Sequence, residues 1–166
     1  MSLPVIRSAT SSDLKKLVEL RLCLQLHAEK SNPWVWRVTE EGKRVIEQEF
    51  EKTLSDSNSR TVVAEMNGEV VGFALGEVEH RTDYLPEIVG AISLIYVAEG
   101  FRRRGIGSRL VEKLCQFFIK EKVEQVTLRY IIGNIEAERF WSKLNFEPII
   151  TTISIRPEEL KERLAK

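Results

Sequence analysis

The chain has 166 residues, of which 43% are hydrophobic and 30% are charged, as is typical of one globular domain spanning residues 1–166. Its 25 Lys and Arg residues balance its 25 Asp and Glu residues, which argues against a nucleic-acid or membrane-surface binder. The apolar runs are strand-length and the first twenty residues lack a signal-peptide core, so we expect a cytoplasmic protein with no membrane span. Cys23 and Cys115 lie in helical patterns and are expected to be reduced core residues.

Strands and helices alternate in the first half of the chain. A strand at 4–9 is followed by a helix that a Thr-Ser-Ser-Asp cap starts and that runs to about residue 29. After a loop at 31–36, Thr39 begins a second helix with Val45 among its inward-facing residues. Two strands, 61–66 and 69–78, flank the dipeptide Asn67-Gly68, which is the strongest short signal for a hairpin.

The second half continues the alternation. The pattern predicts a polar loop at 81–87, then a strand at 88–97, a helix at 105–121, a strand at 125–131, a helix at 135–144, a strand at 149–155 and a helix that Pro157 initiates. Three consecutive strands indicate an antiparallel half, whereas the helix after Val97 requires parallel pairing with the next strand. We therefore predict an α+β fold with a mixed, mostly antiparallel central sheet and helices on both faces.

The connection between Val97 and the next helix is short, basic and rich in glycine. It contains Arg102, Arg103 and Arg104, then Gly105 and Gly107 at the helix start. The free N–H groups and the dipole of a helix N-terminus favour an anion, and glycines let a phosphate approach the backbone closely. This loop is therefore predicted to hold a phosphate-bearing ligand.

Two motifs resemble those of the GCN5-related N-acetyltransferase (GNAT) superfamily. Arg102, Gly105 and Gly107 match its phosphate-loop signature, and the segment 134–146 is similar to its second signature. The element order of nearly the whole chain also resembles that family. The resemblance implies a GNAT-type acyl-CoA N-acyltransferase fold without metal. It further implies transfer of an acetyl group from acetyl-CoA to a primary amine of a small molecule or peptide, by direct attack in a ternary complex.

The resemblance also implies which residues bind acetyl-CoA. The pyrophosphate would contact the loop, the pantetheine arm would pair with the strand ending at Val97, and residues of the second signature would lie beside the arm and the thioester. The backbone N–H of Val97 would stabilise the oxyanion. The implied residues are Ile95, Tyr96, Val97, Arg102, Arg103, Arg104, Gly105, Ile106, Gly107, Ser108, Asn134, Phe140 and Trp141.

The chain departs from the family where acid and base groups often lie. Trp141 stands where many members have Tyr, and Ala91 and Arg129 stand where some members have Glu. A Trp side chain has only an N–H donor and cannot protonate a thiolate. The alternative candidates are the carboxylates of Glu77, Glu79 and Glu87 as base and the phenol of Tyr130 as acid, although each of them is also compatible with a purely structural role.

The acceptor side contains few informative residues. Trp34 and Trp36 in the loop between the first two helices, and Tyr84 before the fourth strand, are the substrate-contacting candidates, and the two Trp residues could equally form a small core of their own. The expected partners are the amine and, through the last strand and terminal helix, a second copy of the chain. A non-catalytic acyl-CoA sensor, a protein N-terminal or lysine acetyltransferase, and a dinucleotide-binding domain remain alternatives.

Overall fold

The computed structural model describes residues 3–32 and 37–165. One sheet contains five strands in chain order: β1 (Val5–Ser8), β2 (Ser59–Met66), β3 (Glu69–His80), β4 (Ile88–Val97) and β5 (Gln125–Leu128). The helices are α1 (Leu14–Ser31), α2 (Glu40–Ser55), α3 (Ile106–Lys120), α4 (Ile135–Lys143) and α5 (Pro157–Leu164). By its internal contacts the chain divides into two compact units, Met1–Gly133, which contains the sheet, and Asn134–Lys166.

The pairing of the strands confirms the predicted mixed sheet. Strands β1 to β4 pair antiparallel in sequence, and β5 pairs parallel with β4 after the crossover through α3. At the β2–β3 hairpin Asn67 has φ 52° and Gly68 has φ 80°. Two consecutive left-handed residues match the twist of a tight hairpin, so the Asn-Gly prediction is also confirmed.

Helices α1 and α2 cover one face of the sheet. Leu17 and Leu20 of α1 and Ile46 and Phe50 of α2 form a buried cluster with Phe73 of β3. The rings of Phe50 and Phe73 meet edge to face at 5.6 Å. These buried positions recur at helical spacing, which is the pattern that predicted both helices.

Helix α3 lies close against the other face because two strands carry glycine beneath it. A Cβ on Gly76 would be 2.9 Å from Cζ of Phe118, and a Cβ on Gly90 would be 2.9 Å from its Cε1. Leu110 and Leu114 complete the buried stripe of α3. This packing holds α3 so that its N-terminus follows directly on the loop after β4.

Four expectations from the sequence are wrong. Residues 149–155 form no strand, and within the described residues they pair with no other segment. Alternating isoleucines have strand propensity, but a strand is stable only with a hydrogen-bonded neighbour.

Strand β5 ends at Leu128 rather than at residue 131. Cys23 and Cys115 are free, as predicted, but exposed rather than in the core, and Val45 is also exposed. Helical spacing defines which residues lie on the apolar face of a helix, but tertiary packing decides how many of them are buried.

Candidate active site

Strands β4 and β5 pair over only part of their length. The parallel ladder runs from Val89 opposite Gln125 to Ile92 opposite Leu128. Strand β4 then continues to Val97, whereas β5 ends, so within residues 3–32 and 37–165 this stretch of β4 has no strand on its β5 side. We call the stretch 93–97 the open edge. It presents backbone donors and acceptors to an extended ligand, as the edge of a sheet does for a peptide strand.

A β-bulge marks the beginning of the open edge. Leu75 of β3 pairs with Leu94, but the next residue, Gly76, pairs with Ile92. Ser93 is therefore the extra residue of the bulge. A bulge bends the strand and increases its local twist, which accounts for the separation of β4 from β5 at this point.

The backbone groups of the open edge alternate in direction. The N–H of Ala98 donates to the carbonyl of Val71 on β3 at 2.9 Å. Successive residues of an antiparallel strand point their hydrogen-bonding groups to opposite sides, so the N–H groups of Ile95 and Val97 point away from β3. The carbonyl of Val97 accepts a hydrogen bond from Nε of Arg102 at 3.0 Å. The N–H groups of Ile95 and Val97 are thus the donors that the open edge offers to a ligand.

The loop after β4 has the backbone geometry of an anion-binding nest. Arg103 has φ 58° and Gly105 has φ 76°, on either side of Arg104, which is not in the left-handed region. Successive N–H groups in such a turn point toward one concave site, where they attract an anion. The side chains of Arg103 and Arg104 are exposed and add positive charge to this site.

The first turn of α3 extends this site. The N–H of Arg109 makes the first bond of the helix, to the carbonyl of Gly105 at 3.2 Å. The N–H groups of Ile106, Gly107 and Ser108 precede it and have no partner within the helix, and the first turn contains no acidic residue. The side chain of Ile106 is buried, so this residue can contribute only its backbone. The helix dipole adds to the attraction for a phosphate.

Arg102 connects the nest to the strand. Besides its bond to Val97, its guanidinium lies over the ring of Tyr96, 5.4 Å from the centroid. Tyr96 packs against the cluster under α1 and α2, and this burial raises the pKa of its phenol. The side chain of Tyr96 therefore points away from the open edge, and Arg102 holds the loop in register with the end of β4.

A pocket of about 310 Å³ lies on the sheet beside residues 89–91 of β4, where β4 is still paired with β5. Glu77 of β3 is paired with Ala91 of β4, and Glu79 is paired with Val89. Glu77 is half-buried and Glu79 is exposed. The hydroxyl of Ser93 donates a hydrogen bond to Oε2 of Glu77. The residues that line the pocket are Glu77, Val78, Glu79, Val89, Gly90, Ala91 and Thr127.

The second signature lies in the unit Asn134–Lys166. Asn134 caps α4, because its Oδ1 accepts from the N–H of Ala137 at 3.2 Å. Trp141 is buried, with ring centroids of Phe140 and Phe146 at 4.7 Å and 5.2 Å from its own. These contacts give Asn134 and Trp141 structural roles within this unit.

The remaining predicted residues are scattered. Tyr130 lies beyond the end of β5 and is 38% exposed, and Tyr84 lies in the β3–β4 loop and is 66% exposed. Trp34 and Trp36 lie outside the described residues. Sequence reasoning missed Ser93, whose only signal is that it is a polar residue interrupting an apolar run.

The described residues contain neither a metal-ligand cluster nor a membrane-spanning helix. In the described part of the chain, no three His, Cys, Asp or Glu side chains come together as a metal site would require. Among the helices of the same residues, none is sufficiently long and apolar to cross a membrane.

Comparison with known proteins agrees with this geometry. The sequence profile of the Acetyltransferase (GNAT) family matches residues 23–146, which include α3, the nest and the open edge. An uncharacterized N-acetyltransferase of Archaeoglobus fulgidus is 30% identical over 100 residues, covering 60% of this chain and 68% of that protein. An N-alpha-acetyltransferase of Sulfurisphaera tokodaii is 32% identical over 107 residues, covering 60% of this chain and 64% of that protein.

A solved structure has the same fold. An aminoglycoside N-acetyltransferase in complex with CoA superposes with a TM-score of 0.73 at 19% identity, covering 94% of this chain and 95% of that one. The profile match covers more than half of the chain, and the fold and the phosphate loop agree with it. The chain therefore belongs to the GNAT family and is an acetyl-CoA-dependent acetyltransferase.

Proposed function

We propose that this protein transfers an acetyl group from acetyl-CoA to a primary amine, which attacks the thioester directly, with Glu77 as the general base. The observation that carries the proposal is the position of Glu77. It lines a pocket on the paired part of β4, directly across the ladder from Ala91, and its carboxylate accepts a hydrogen bond from Ser93, where the open edge begins. Ala91 is the position at which some members of the family have Glu, and Glu77 supplies a carboxylate from the adjacent strand.

The chain has the donors that acetyl-CoA requires. The nest around Arg104 and the first N–H groups of α3 would hold the pyrophosphate, because both concentrate positive potential on exposed backbone. The N–H and carbonyl of Ile95 would pair with the amide groups of the pantetheine arm. When bound, acetyl-CoA supplies the thioester-activated acetyl group.

Glu77 would take the proton that the amine must lose before or during attack. A primary amine is mostly protonated at neutral pH, and a carboxylate that lies beside it can accept the proton. Glu79 is on the same face of β3 but is more exposed and lies two ladder pairs farther from the open edge. We therefore assign the proton transfer to Glu77 and expect Glu79 to attract the cationic acceptor.

The N–H of Val97 would stabilise the negative charge that develops on the acetyl carbonyl oxygen. This donor points away from β3, and Arg102 already occupies the carbonyl of the same residue. A donor fixed in a strand needs no reorganisation during the reaction. Tyr130 stays a prediction for the acid, and positioning of two bound reactants would supply much of the acceleration.

The acceptor that sequence relatives favour is a peptide α-amine. Relatives from Sulfurisphaera tokodaii and Sulfolobus acidocaldarius that are about 30% identical are N-alpha-acetyltransferases. A small-molecule amine is the second candidate, because the similar solved structure is an aminoglycoside N-acetyltransferase.

The test is release of free CoA thiol from acetyl-CoA in the presence of an amine panel. The panel contains short peptides with free N-termini, polyamines, aminoglycosides and amino acids. We expect thiol release that depends on the amine, with Glu77→Gln lowering kcat by about 100-fold and Glu79→Gln mainly raising KM for the amine. Acetyl-CoA binding, measured by calorimetry, should be unchanged in both variants.

Two results would contradict the proposal. Binding of acetyl-CoA without turnover of any amine would favour the non-catalytic sensor. Turnover that is unaffected by Glu77→Gln would leave acetyl transfer intact but would exclude Glu77 as the base.

A further inference from the structure

Ser93 combines three features that the proposed reaction does not yet use. It is the extra residue of the bulge, its side chain is exposed, and its hydroxyl bonds to Oε2 of Glu77. In a regular strand a serine at this position would simply alternate with its neighbours. A bulge, by contrast, re-aims a side chain.

The bulge changes the face of the sheet to which the side chains of β4 point. Leu94 and Tyr96 pack in the cluster under α1 and α2. Gly76 faces the ring of Phe118, so the next residue, Glu77, lies on the opposite face of the sheet. Ala91 is paired with Glu77 and lies on that same face. Residues three apart, such as Ala91 and Leu94, point to opposite faces of a regular strand. The bulge at Ser93 places both on the same face.

From this geometry we propose that Ser93 is a positioning residue for Glu77, an inference that rests on the proposed function of that carboxylate. The single proton of the hydroxyl is donated to Oε2. Oε1 then remains available to the pocket and to an incoming amine. The hydrogen bond would hold the carboxylate of Glu77 in one rotamer.

Among the residues that line the pocket, one besides Glu77 has a titratable side chain. Glu79 shares the pocket and lies on the same strand. The neighbouring positions on β2, β4 and β5 are Ser59, Ala91 and Thr127, none of which carries a charge. An effect of substituting Ser93 on turnover could therefore act through either of the two glutamates, and Glu79→Gln separates them.

The first measurement needs no substrate. Side-chain scalar couplings of Glu77, measured by NMR, should indicate one rotamer in the wild type and rotamer averaging in Ser93→Ala. Ser93→Thr keeps the hydroxyl, and because the position is exposed the added methyl has room. It should restore the single rotamer. Unchanged couplings in Ser93→Ala would overturn the proposal, whatever the activity.

The second measurement is steady-state kinetics in a Glu79→Gln background. Ser93→Ala should lower kcat about 3- to 10-fold, with KM for acetyl-CoA unchanged. Ser93→Thr should return kcat toward the wild type. If Glu77→Gln lowers kcat about 100-fold but Ser93→Ala leaves kcat unchanged, the Ser93 proposal fails alone. If Glu77→Gln has no effect, the assignment of the base fails instead.

Discussion

Replacing Gly105 by Ala tests whether the nest must keep its left-handed residue. A Cβ at Gly105 would meet nothing within 4 Å, so the substitution introduces no clash. The residue has φ 76°, however, and the left-handed conformation costs a residue with a side chain about 1–2 kcal/mol. The whole cost therefore comes from the backbone.

The complex with acetyl-CoA requires the left-handed conformation and therefore includes this backbone cost. This holds whether or not the loop of the free variant keeps that conformation. If the variant keeps the conformation, the free protein is destabilised. If its loop relaxes, the conformation must be restored on binding, and the affinity falls by up to about 5- to 30-fold. The unfolding free energy at saturating acetyl-CoA includes both contributions. We expect it to fall by about 1–2 kcal/mol in Gly105→Ala.

Gly100→Ala is the matched control for this experiment. Gly100 lies in the short 3-10 turn Glu99–Phe101, its Cβ would also meet nothing within 4 Å, and its φ is not left-handed. We expect a change within about 0.5 kcal/mol. Both proteins are measured by urea unfolding with and without acetyl-CoA. Equal values for the two variants under both conditions would refute the nest geometry as the basis of phosphate binding.

Three further substitutions test other parts of the molecule. Asp13→Asn should destabilise the protein by about 2 kcal/mol at pH 7, because hydrogen bonds from Arg7 at 2.8 and 2.9 Å lower the pKa of this buried carboxyl. A depressed pKa contributes stability above the unfolded-state value that is lost as the pH falls, so the difference in urea unfolding from wild type should shrink below about pH 4. Gly76→Ala should cost about 1–3 kcal/mol in thermal or urea unfolding, because its Cβ would lie 2.9 Å from the ring of Phe118, and unchanged stability would contradict the close approach of α3. Arg102→Ala should raise KM for acetyl-CoA about 10-fold in steady-state kinetics with little change in kcat, and an effect on kcat alone would contradict its role in holding the loop.

Local features of the sequence determined much of the fold. The Asn67-Gly68 dipeptide predicted the hairpin because few residues adopt two consecutive left-handed conformations. The pattern of apolar residues predicted α3 as a helix, and its position after β4 predicted the parallel pairing of β5. The loop that contains Arg102, Gly105 and Gly107 was recognisable from the sequence because the residues that build it are neighbours in the chain.

Only the tertiary structure decided what depends on register and on partners distant in the chain. The pairing of Glu77 with Ala91 and the bulge at Ser93 follow from how β3 and β4 align, and no periodicity within either strand specifies that alignment. The exposure of Cys23 and the absence of a strand at 149–155 likewise depend on what packs or pairs nearby. The sequence alone therefore identified the loop that we propose binds the cosubstrate, because adjacent residues build it. Glu77 was one of several carboxylates that the sequence offered, and its pairing with Ala91 and its hydrogen bond from Ser93 became visible only when the strands were placed side by side.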